Sequence, residues 1–359
     1  MPEATLPTAV IGVGDAGGDI LAALGQVDCV RIVGVADRDP AAAEQAGKRF
    51  GVPAYTDNRS LLAETRPQAI FLAVPPAVAL DIVAACAARS IHVWKAPPLA
   101  RSLDEGLAIV RRMEQAGLKL AVGTHRRFAD GYRTASRLRG KVGQVFLATA
   151  HYTFNWGPHL GWRGDRASAG GGALIEVGYH PLDLLVWMLG LPEVVFGLST
   201  CGYRPGQTGP EGQLLPVYDT DDTAALLLRY PGDCVATVVT SRRTGPMSEA
   251  LSVHGRDGSI AATADMCLLR DVDGNLLDRT ESSASPLTAR RRQVTEFAKA
   301  VLSDAKTYEC SARENLLNLA LIEAAYLSSR TGQGESPRRL LATRELDEPA
   351  CLIHRPSQQ

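Results

Sequence analysis

The sequence has no Cys-x-x-Cys pair, no apolar run of about 20 residues and no surplus of either charge. Its seven cysteines, Cys29, Cys86, Cys201, Cys234, Cys267, Cys310 and Cys351, are scattered and odd in number. That argues against a disulfide framework and a zinc knuckle, and favours a reducing cytoplasm. Thirty-eight Lys and Arg against 39 Asp and Glu leave a net charge of −1, which provides no electrostatic footprint for nucleic acid or an anionic membrane. The opening "MPEATLPTAVIGVG" lacks a basic segment followed by a signal-like apolar stretch, so neither export nor membrane insertion is expected. There is no internal repeat. What is present is 359 residues, 45% hydrophobic and 21% charged, enough for two domains with sizeable cores whose partners are small molecules or further copies of the chain.

From Thr8 to Val122 short apolar runs alternate with Ala-rich helical stretches. The runs "TAVIGVG", "VRIVGVAD", "AIFLAVPP", "IHVWKAPP" and "LKLAVG" are continuous rather than alternating, as in strands buried between helical layers. This predicts a doubly wound parallel sheet. Ser102 and Glu105 form a capping-box signature for a helix that Gly117 stops. Past Val122 the texture changes to longer segments such as "QVFLATAHYTF", "TAALLLRY", "CVATVVTSRR" and "EALSVHGRDGSIAAT", which predict an antiparallel sheet. The stretch "CGYRPGQTGPEGQLLP" reads as a long loop, and "RRRQVTEFAKAVLSD" and "SARENLLNLALIEAAYLSSRTG" as two late helices, the second closed by Gly332.

Gly12, Gly14 and Gly17 form a GxGxxG directly after a strand and at the mouth of a helix. Gly12 serves the tight turn, Gly14 clears the approach of a pyrophosphate to the backbone, and the amides of Asp15 and Ala16 face it at the helix N-terminus. About 20 residues on, Asp37 ends its strand where a ribose would be bound. Arg38 beside it leaves NADP possible, although Asp37 would repel a 2′-phosphate, so NAD is favoured. Val74 and Pro75, where "AIFLAVPP" leaves its strand, complete the expected cofactor set with Lys95.

A second constellation lies in "AGGGALIEVGYHPLDLLVWMLG". After a flexible Gly170–Gly172 entry, Glu176, His180 and Asp183 fall at i, i+4 and i+7, which places them on one face of a helix. The apolar Leu182, Leu185, Val186 and Leu189 anchor the opposite face. Histidine titrates near neutral pH, so His180 is the candidate general base, with Glu176 orienting the substrate or supplementing it. His151, Trp156, Arg163 and Tyr179 are candidates to line a sugar pocket, against the alternative of ordinary packing. A metal held by Glu176 and His180 with His151 or His159 is disfavoured, because no spacing secures the third ligand.

In order and spacing, GxGxxG, "HV….P.A", "GTHRRF", "GGGAL…G.H.LDL" and "LIEAAYLSSRTG" resemble the glucose-fructose oxidoreductase/inositol dehydrogenase (Gfo/Idh/MocA) family from about Val10 to Gly332. The resemblance implies a Rossmann domain followed by an open, mostly antiparallel sheet used for dimer or tetramer contacts, and sugars or cyclic polyols as substrates. It also implies a lysine near the nicotinamide and the substrate hydroxyl, within "HV..EKPLA". Here Ala96, Pro97 and Pro98 stand at E-K-P, so the lysine position is Pro97. The family's later Asp is Glu176, while its His is retained as His180. Lys95 shares the strand side of position 97 but lies roughly 6.5 Å back along the strand. It reaches the substrate side, binds the cofactor ribose or simply snorkels.

The resulting expectation is residues 1–122 as a Rossmann α/β domain and 123–359 as an α+β substrate and oligomerisation domain, with the late helices able to pack back on the first. The expected activity is NAD(P)-dependent hydride transfer at a carbinol or ketone of a sugar or polyol. His180, Glu176 and Lys95 form the catalytic set and no metal is required. Two other readings stay open. One is a cofactor- and sugar-binding sensor that has lost turnover. The other is NAD-assisted elimination or glycosidic cleavage without net redox.

Overall fold

The computed structural model describes residues 5–202, 208, 212, 214 and 217–351. Most of the Gly/Pro-rich stretch expected as a long loop, including residues 203–207, lies outside the described residues. The chain forms two compact units. The first gathers residues up to Ala100, Asp104–Phe128 and Ala284–Asn315; the second gathers Arg101–Leu103, Ala129–Ser283 and the residues from Leu316 onward. No helix among the described residues is long and apolar enough to cross a membrane.

In the first unit, β1 (Leu6–Ile11), β2 (Val30–Ala36), β3 (Ala54–Tyr55), β4 (Ala69–Leu72), β5 (His92–Lys95) and β6 (Leu120–Val122) form one sheet in the order β3-β2-β1-β4-β5-β6, every pair parallel. The order reverses at β1 and β4, and in such sheets the carboxyl ends of the strands at that point present a crevice for a nucleotide. The five strands expected from continuous apolar runs are all present. The two-residue β3 carries no periodic signal and was not anticipated. Helices α1 (Asp15–Leu24), α2 (Pro40–Phe50), α3 (Asn58–Thr65), α4 (Pro76–Ala87) and α5 (Leu103–Gln115) follow the first five strands in turn. Their ends obey local rules: Asp39 caps α2 by accepting from Ala41 N, Asp57 caps α3 by accepting from Ser60 N, and Gly51 closes α2 in the left-handed region.

The second unit contains α6 (Asp130–Leu138) and an eight-stranded sheet of β7 (Val145–Asn155), β8 (Val194–Thr200), β9 (Thr223–Arg229), β10 (Val235–Ser241), β11 (Arg243–Gly255), β12 (Gly258–Ala262), β13 (Met266–Arg270) and β14 (Leu276–Glu281). Its order is β14-β13-β12-β11-β7-β10-β9-β8, antiparallel except where β7 lies parallel to β10. Side chains alternate between faces, as period two requires. In β9, Ala224, Leu226 and Leu228 are buried while Leu227 is half exposed, and Leu198 of β8 shares its outward face at 71% exposure. Between β7 and β8 come α7 (Arg166–Ala169), α8 (Ala173–Glu176) and α9 (Tyr179–Leu189), with α9 packed on β7.

After β14 the chain re-enters the first unit through α10 (Pro286–Leu302), capped by Ser285, before α11 (Ala312–Thr331), α12 (Pro337–Ala342) and α13 (Glu348–Cys351). Phe297 of α10 packs edge-on against Phe71 of β4 at 5.8 Å, and Trp94 of β5 lies 5.4 Å from the same ring. All three are buried, and each such burial stabilises by about 1.5–3 kcal/mol. The late helix is therefore a core element of the first unit.

Candidate active site

In the first unit the three glycines answer three different demands. Gly12 has φ +85°, and a Cβ there would stand 2.2 Å from Ala73 O. A Cβ on Gly17 would stand 1.9 Å from Gly12 O, so this glycine lets α1 close against the loop. Gly14 has open space where its Cβ would be and forms the N-cap of α1, with no side chain accepting from the helix's first amides. A helix end with space before it and no capping side chain fits an anionic pyrophosphate, and the amides of Asp15 and Ala16 begin that helix.

Asp37 accepts from Val13 N at 2.8 Å through Oδ2 and from Asp39 N at 3.0 Å through Oδ1, tying the glycine loop to the end of β2. Each carboxylate oxygen keeps a second lone pair for a ribose hydroxyl. Arg38 is exposed and Val74 abuts Gly12, while Pro75 is the N-cap residue of α4.

Lys95 is 1% exposed, which removes the snorkelling role. Its Nζ donates to Ala96 O at 3.0 Å and to Pro98 O at 2.5 Å, so the ammonium braces its own turn through the segment that departs from the family pattern. Burial lowers Lys95 to about 7, with the charge of Glu105 opposing the shift. In the unfolded chain the amine keeps its proton up to its ordinary 10.5. Unfolding therefore takes up a proton between those two values, and stability rises with pH across that window. Lys95→Met should lack this rise, and it strands carbonyls at about 1–3 kcal/mol for each one left buried without a donor. Urea denaturation of both proteins at several pH values across the window checks this; parallel pH dependences would show that Lys95 does not titrate there.

In the second unit Gly170–Gly172 is a packing device rather than a flexible entry. A Cβ on Gly172 would meet Asp221 O at 1.9 Å, and one on Gly171 would meet the Tyr326 hydroxyl at 2.3 Å. Asp221 accepts from Gly172 N and Leu174 N, each at 2.8 Å, and from the Tyr326 hydroxyl at 2.6 Å, which anchors the start of α8.

The expected single helix through Glu176, His180 and Asp183 is broken. α8 ends at Glu176 and α9 begins at Tyr179, with Gly178 N bonded back to Ala173 O at 2.8 Å. A Cβ on Gly178 would stand 2.5 Å from Leu174 O, so this close turn needs glycine. The break separates the face of Glu176 from that of Asp183, which is buried and accepts from Asn318 Nδ2 at 2.8 Å. Of the residues expected to anchor α9, Leu182, Leu185 and Val186 are buried and Leu189 is partly so.

Glu176 is bound instead by Arg163, whose Nε donates to Oε1 at 2.5 Å. The guanidinium carbon lies 4.3 Å from the Trp156 ring centre and 4.5 Å from that of Trp162. Desolvation raises Glu176, while Arg163 and then Arg242 pull it down and Asp221 adds to the rise. Tyr152, Phe154 and Trp156 stand at alternate positions with ring separations of 5.4 and 5.1 Å, and Tyr152 meets the His180 ring edge-on at 6.1 Å. The structure thus brings Trp156, Arg163 and Glu176 together, with His180 at the far end of the same row of rings.

It does not bring His151 there. One residue from Tyr152, His151 takes the opposite face of β7, where its Nε2 lies 2.8 Å from Ser248 Oγ. His159 is exposed and Tyr179 fully buried, and no three His, Cys, Asp or Glu side chains among the described residues gather as a metal site. Sequence reasoning covered Tyr152, Phe154 and Trp162 only as part of the aromatic stretch "HYTFNWGPHLGWRGD" without singling them out, and missed Asp221, Arg242 and Tyr326. The period-two aromatics of "HYTFNW" carried a usable signal for two of these; the pairing of Asp221 with Tyr326, 105 positions apart, carried none.

Residues 6–124 match the model of an oxidoreductase family with an NAD-binding Rossmann fold, and residues 135–261 match that of the GFO/IDH/MocA C-terminal domain. D-xylose 1-dehydrogenase (NADP(+)) 2 from Haloferax volcanii is 27% identical over 83% of this chain and 89% of its own length. D-apiose dehydrogenase from Paraburkholderia graminis is 25% identical over 90% and 88%. Among solved structures, an oxidoreductase from Agrobacterium radiobacter in complex with NAD+, L-tartaric acid and magnesium superimposes with a TM-score of 0.80 at 21% identity, covering 94% of this chain and 99% of that one. That last likeness is one of fold.

Proposed function

We propose that the substrate is a sugar or related polyol oxidised at a carbinol, because the chain belongs to the Gfo/Idh/MocA family of NAD(P)-dependent oxidoreductases and two of its relatives are named as pentose dehydrogenases. The observation that carries this reading is the row of partly buried aromatic rings that runs from His180 at one end to Trp156 and the Arg163–Glu176 pair at the other, all in the second unit. Aromatic faces suit the apolar C–H surface of a pyranose or furanose, and carboxylate and imidazole suit its hydroxyls.

Gly14, Asp15, Ala16 and Asp37 would hold the nicotinamide cofactor, with Val74 and Pro75 flanking the loop, and its chemistry there would be hydride exchange with the substrate carbon. His180 takes the hydroxyl proton as the carbonyl forms, and Glu176 accepts a hydrogen bond from a neighbouring hydroxyl, which fixes the reacting carbon's orientation. Lys95 supports the 96–98 turn through its bonds to Ala96 O and Pro98 O. The exposed face of the eight-stranded sheet, with Leu198 and Leu227, is assigned to a second copy of the chain, which sedimentation velocity of the purified protein reads directly.

One observation favours a second reading. With the family's lysine position occupied by Pro97 and Lys95 turned onto backbone carbonyls, a sensor that binds cofactor and sugar without turnover would have the same features. A panel of aldopentoses, aldohexoses and inositols with NAD+ and NADP+, followed at 340 nm, separates the two. NAD(P)H formation with an aldose is expected. Tight cofactor binding with no turnover on any member would discard the dehydrogenase reading.

A further inference from the structure

Arg163 sits among the candidate sugar contacts, yet its geometry suits a different task. Its guanidinium carbon lies over two indole rings, 4.3 Å from the centre of Trp156 and 4.5 Å from that of Trp162. Its Nε is committed to Glu176 at 2.5 Å. Its main chain is fixed as well: Arg163 O accepts from Thr220 Oγ1 at 3.0 Å and from Arg242 Nη1 at 3.2 Å. Arg242 is itself fully buried, paired with Asp222 at 3.4 Å and donating to Thr220 at 2.7 Å. A side chain restrained at both ends and packed over two indoles has little freedom to follow a substrate. It is built to hold one partner.

We infer that Arg163 is a positioning residue that clamps the Glu176 carboxylate as a fixed, ionised acceptor for a substrate hydroxyl. The inference rests on the contact of Glu176 with substrate proposed above. It also accounts for the longer side chain at this position: the added methylene carries the carboxylate to the guanidinium, where an aspartate on the same backbone would fall short. The charged groups acting on Glu176 are Arg163 and Arg242, which favour its anion, and Asp221, which opposes it together with burial. Arg163 makes the direct contact, so removing it tips the balance toward the neutral acid. A neutral Glu176 turns one acceptor oxygen into a donor, and a substrate hydroxyl oriented by donating to it is released.

Glu176 can be followed without any turnover, through the infrared carbonyl stretch of its protonated form, assigned as the band that Glu176→Gln removes. In Arg163→Met this band should titrate about one pH unit or more above the wild type, in line with the 1–3 units by which an adjacent arginine moves a carboxyl. Arg163→Lys keeps the charge but not the planar stack and should fall between; if the methionine variant does not fold, the lysine variant carries the test in the same direction. The acid limb of kcat/KM should move up with the band and KM should rise, while NADH affinity, read by fluorescence, stays put. An unshifted band in either folded variant overturns the clamp. So does a raised KM with an unmoved acid limb, which would make Arg163 a plain substrate contact. A shifted band alongside full turnover in Glu176→Gln supports the clamp and removes the proposed substrate contact instead.

Discussion

His180→Asn should lower kcat by about 10²- to 10⁴-fold with no change in cofactor affinity, the range over which a positioned base acts. Asparagine retains a planar polar side chain of similar reach but cannot take a proton near neutral pH. The competing explanation is lost packing. Among its contacts His180 meets Tyr152 edge-on at 6.1 Å, and an aromatic pair of that kind is worth about 0.5–1.5 kcal/mol, roughly tenfold in rate. A fall well beyond tenfold with an unchanged thermal midpoint therefore points to chemistry. Steady-state kinetics over a pH series with the best substrate of the panel supplies the measurement. If the variant keeps wild-type turnover, the base lies elsewhere and the assignment of this helix to catalysis is wrong.

Gly14→Val should leave the protein folded and abolish measurable NAD(P) binding. The backbone there has φ −63°, so a valine meets no left-handed strain, and a Cβ has nothing within 4 Å to strike. What the branched side chain fills is the space before the first amides of α1, where a pyrophosphate must approach the backbone. A loss beyond about a hundredfold is expected, equivalent to about 2.8 kcal/mol at 1.4 kcal/mol per decade. Gly17→Ala is the contrast: its added Cβ would lie 1.9 Å from Gly12 O, and that variant should lose stability first. NADH fluorescence titration beside thermal denaturation distinguishes them. A Gly14→Val protein that binds NADH like the wild type would place the cofactor away from this loop.

The two variants also mark how unevenly the molecule can be read from its residues. Gly12, Gly14 and Gly17 are alike on the page, and only their surroundings show that two are demanded by neighbouring backbone while the third stands before open space. The Glu176–His180–Asp183 spacing satisfied a helical face, but close packing at Gly178 splits the segment into two helices and sends Asp183 to Asn318. Lys95 had three open roles because strand geometry fixes the direction of a side chain at its root, whereas where a flexible amine ends depends on which carbonyls lie within reach.

From the sequence alone came the elements whose cause is local. Continuous β-branched runs specified buried parallel strands, longer alternating segments specified the second sheet, and the glycine loop with Asp37 about 20 residues on specified a dinucleotide site. Alternation along one strand held enough to separate His151 from Tyr152. The tertiary structure alone decided the partners drawn from distant positions: Asp221 with Tyr326 against the glycine run, Arg163 with Glu176 and two indoles, and Arg242 with the Arg163 carbonyl. Periodicity is set by neighbours three or four residues apart in a helix and two apart in a strand. A buried charge or hydroxyl must find its partner wherever the folded chain brings one, and no local pattern records which it will be.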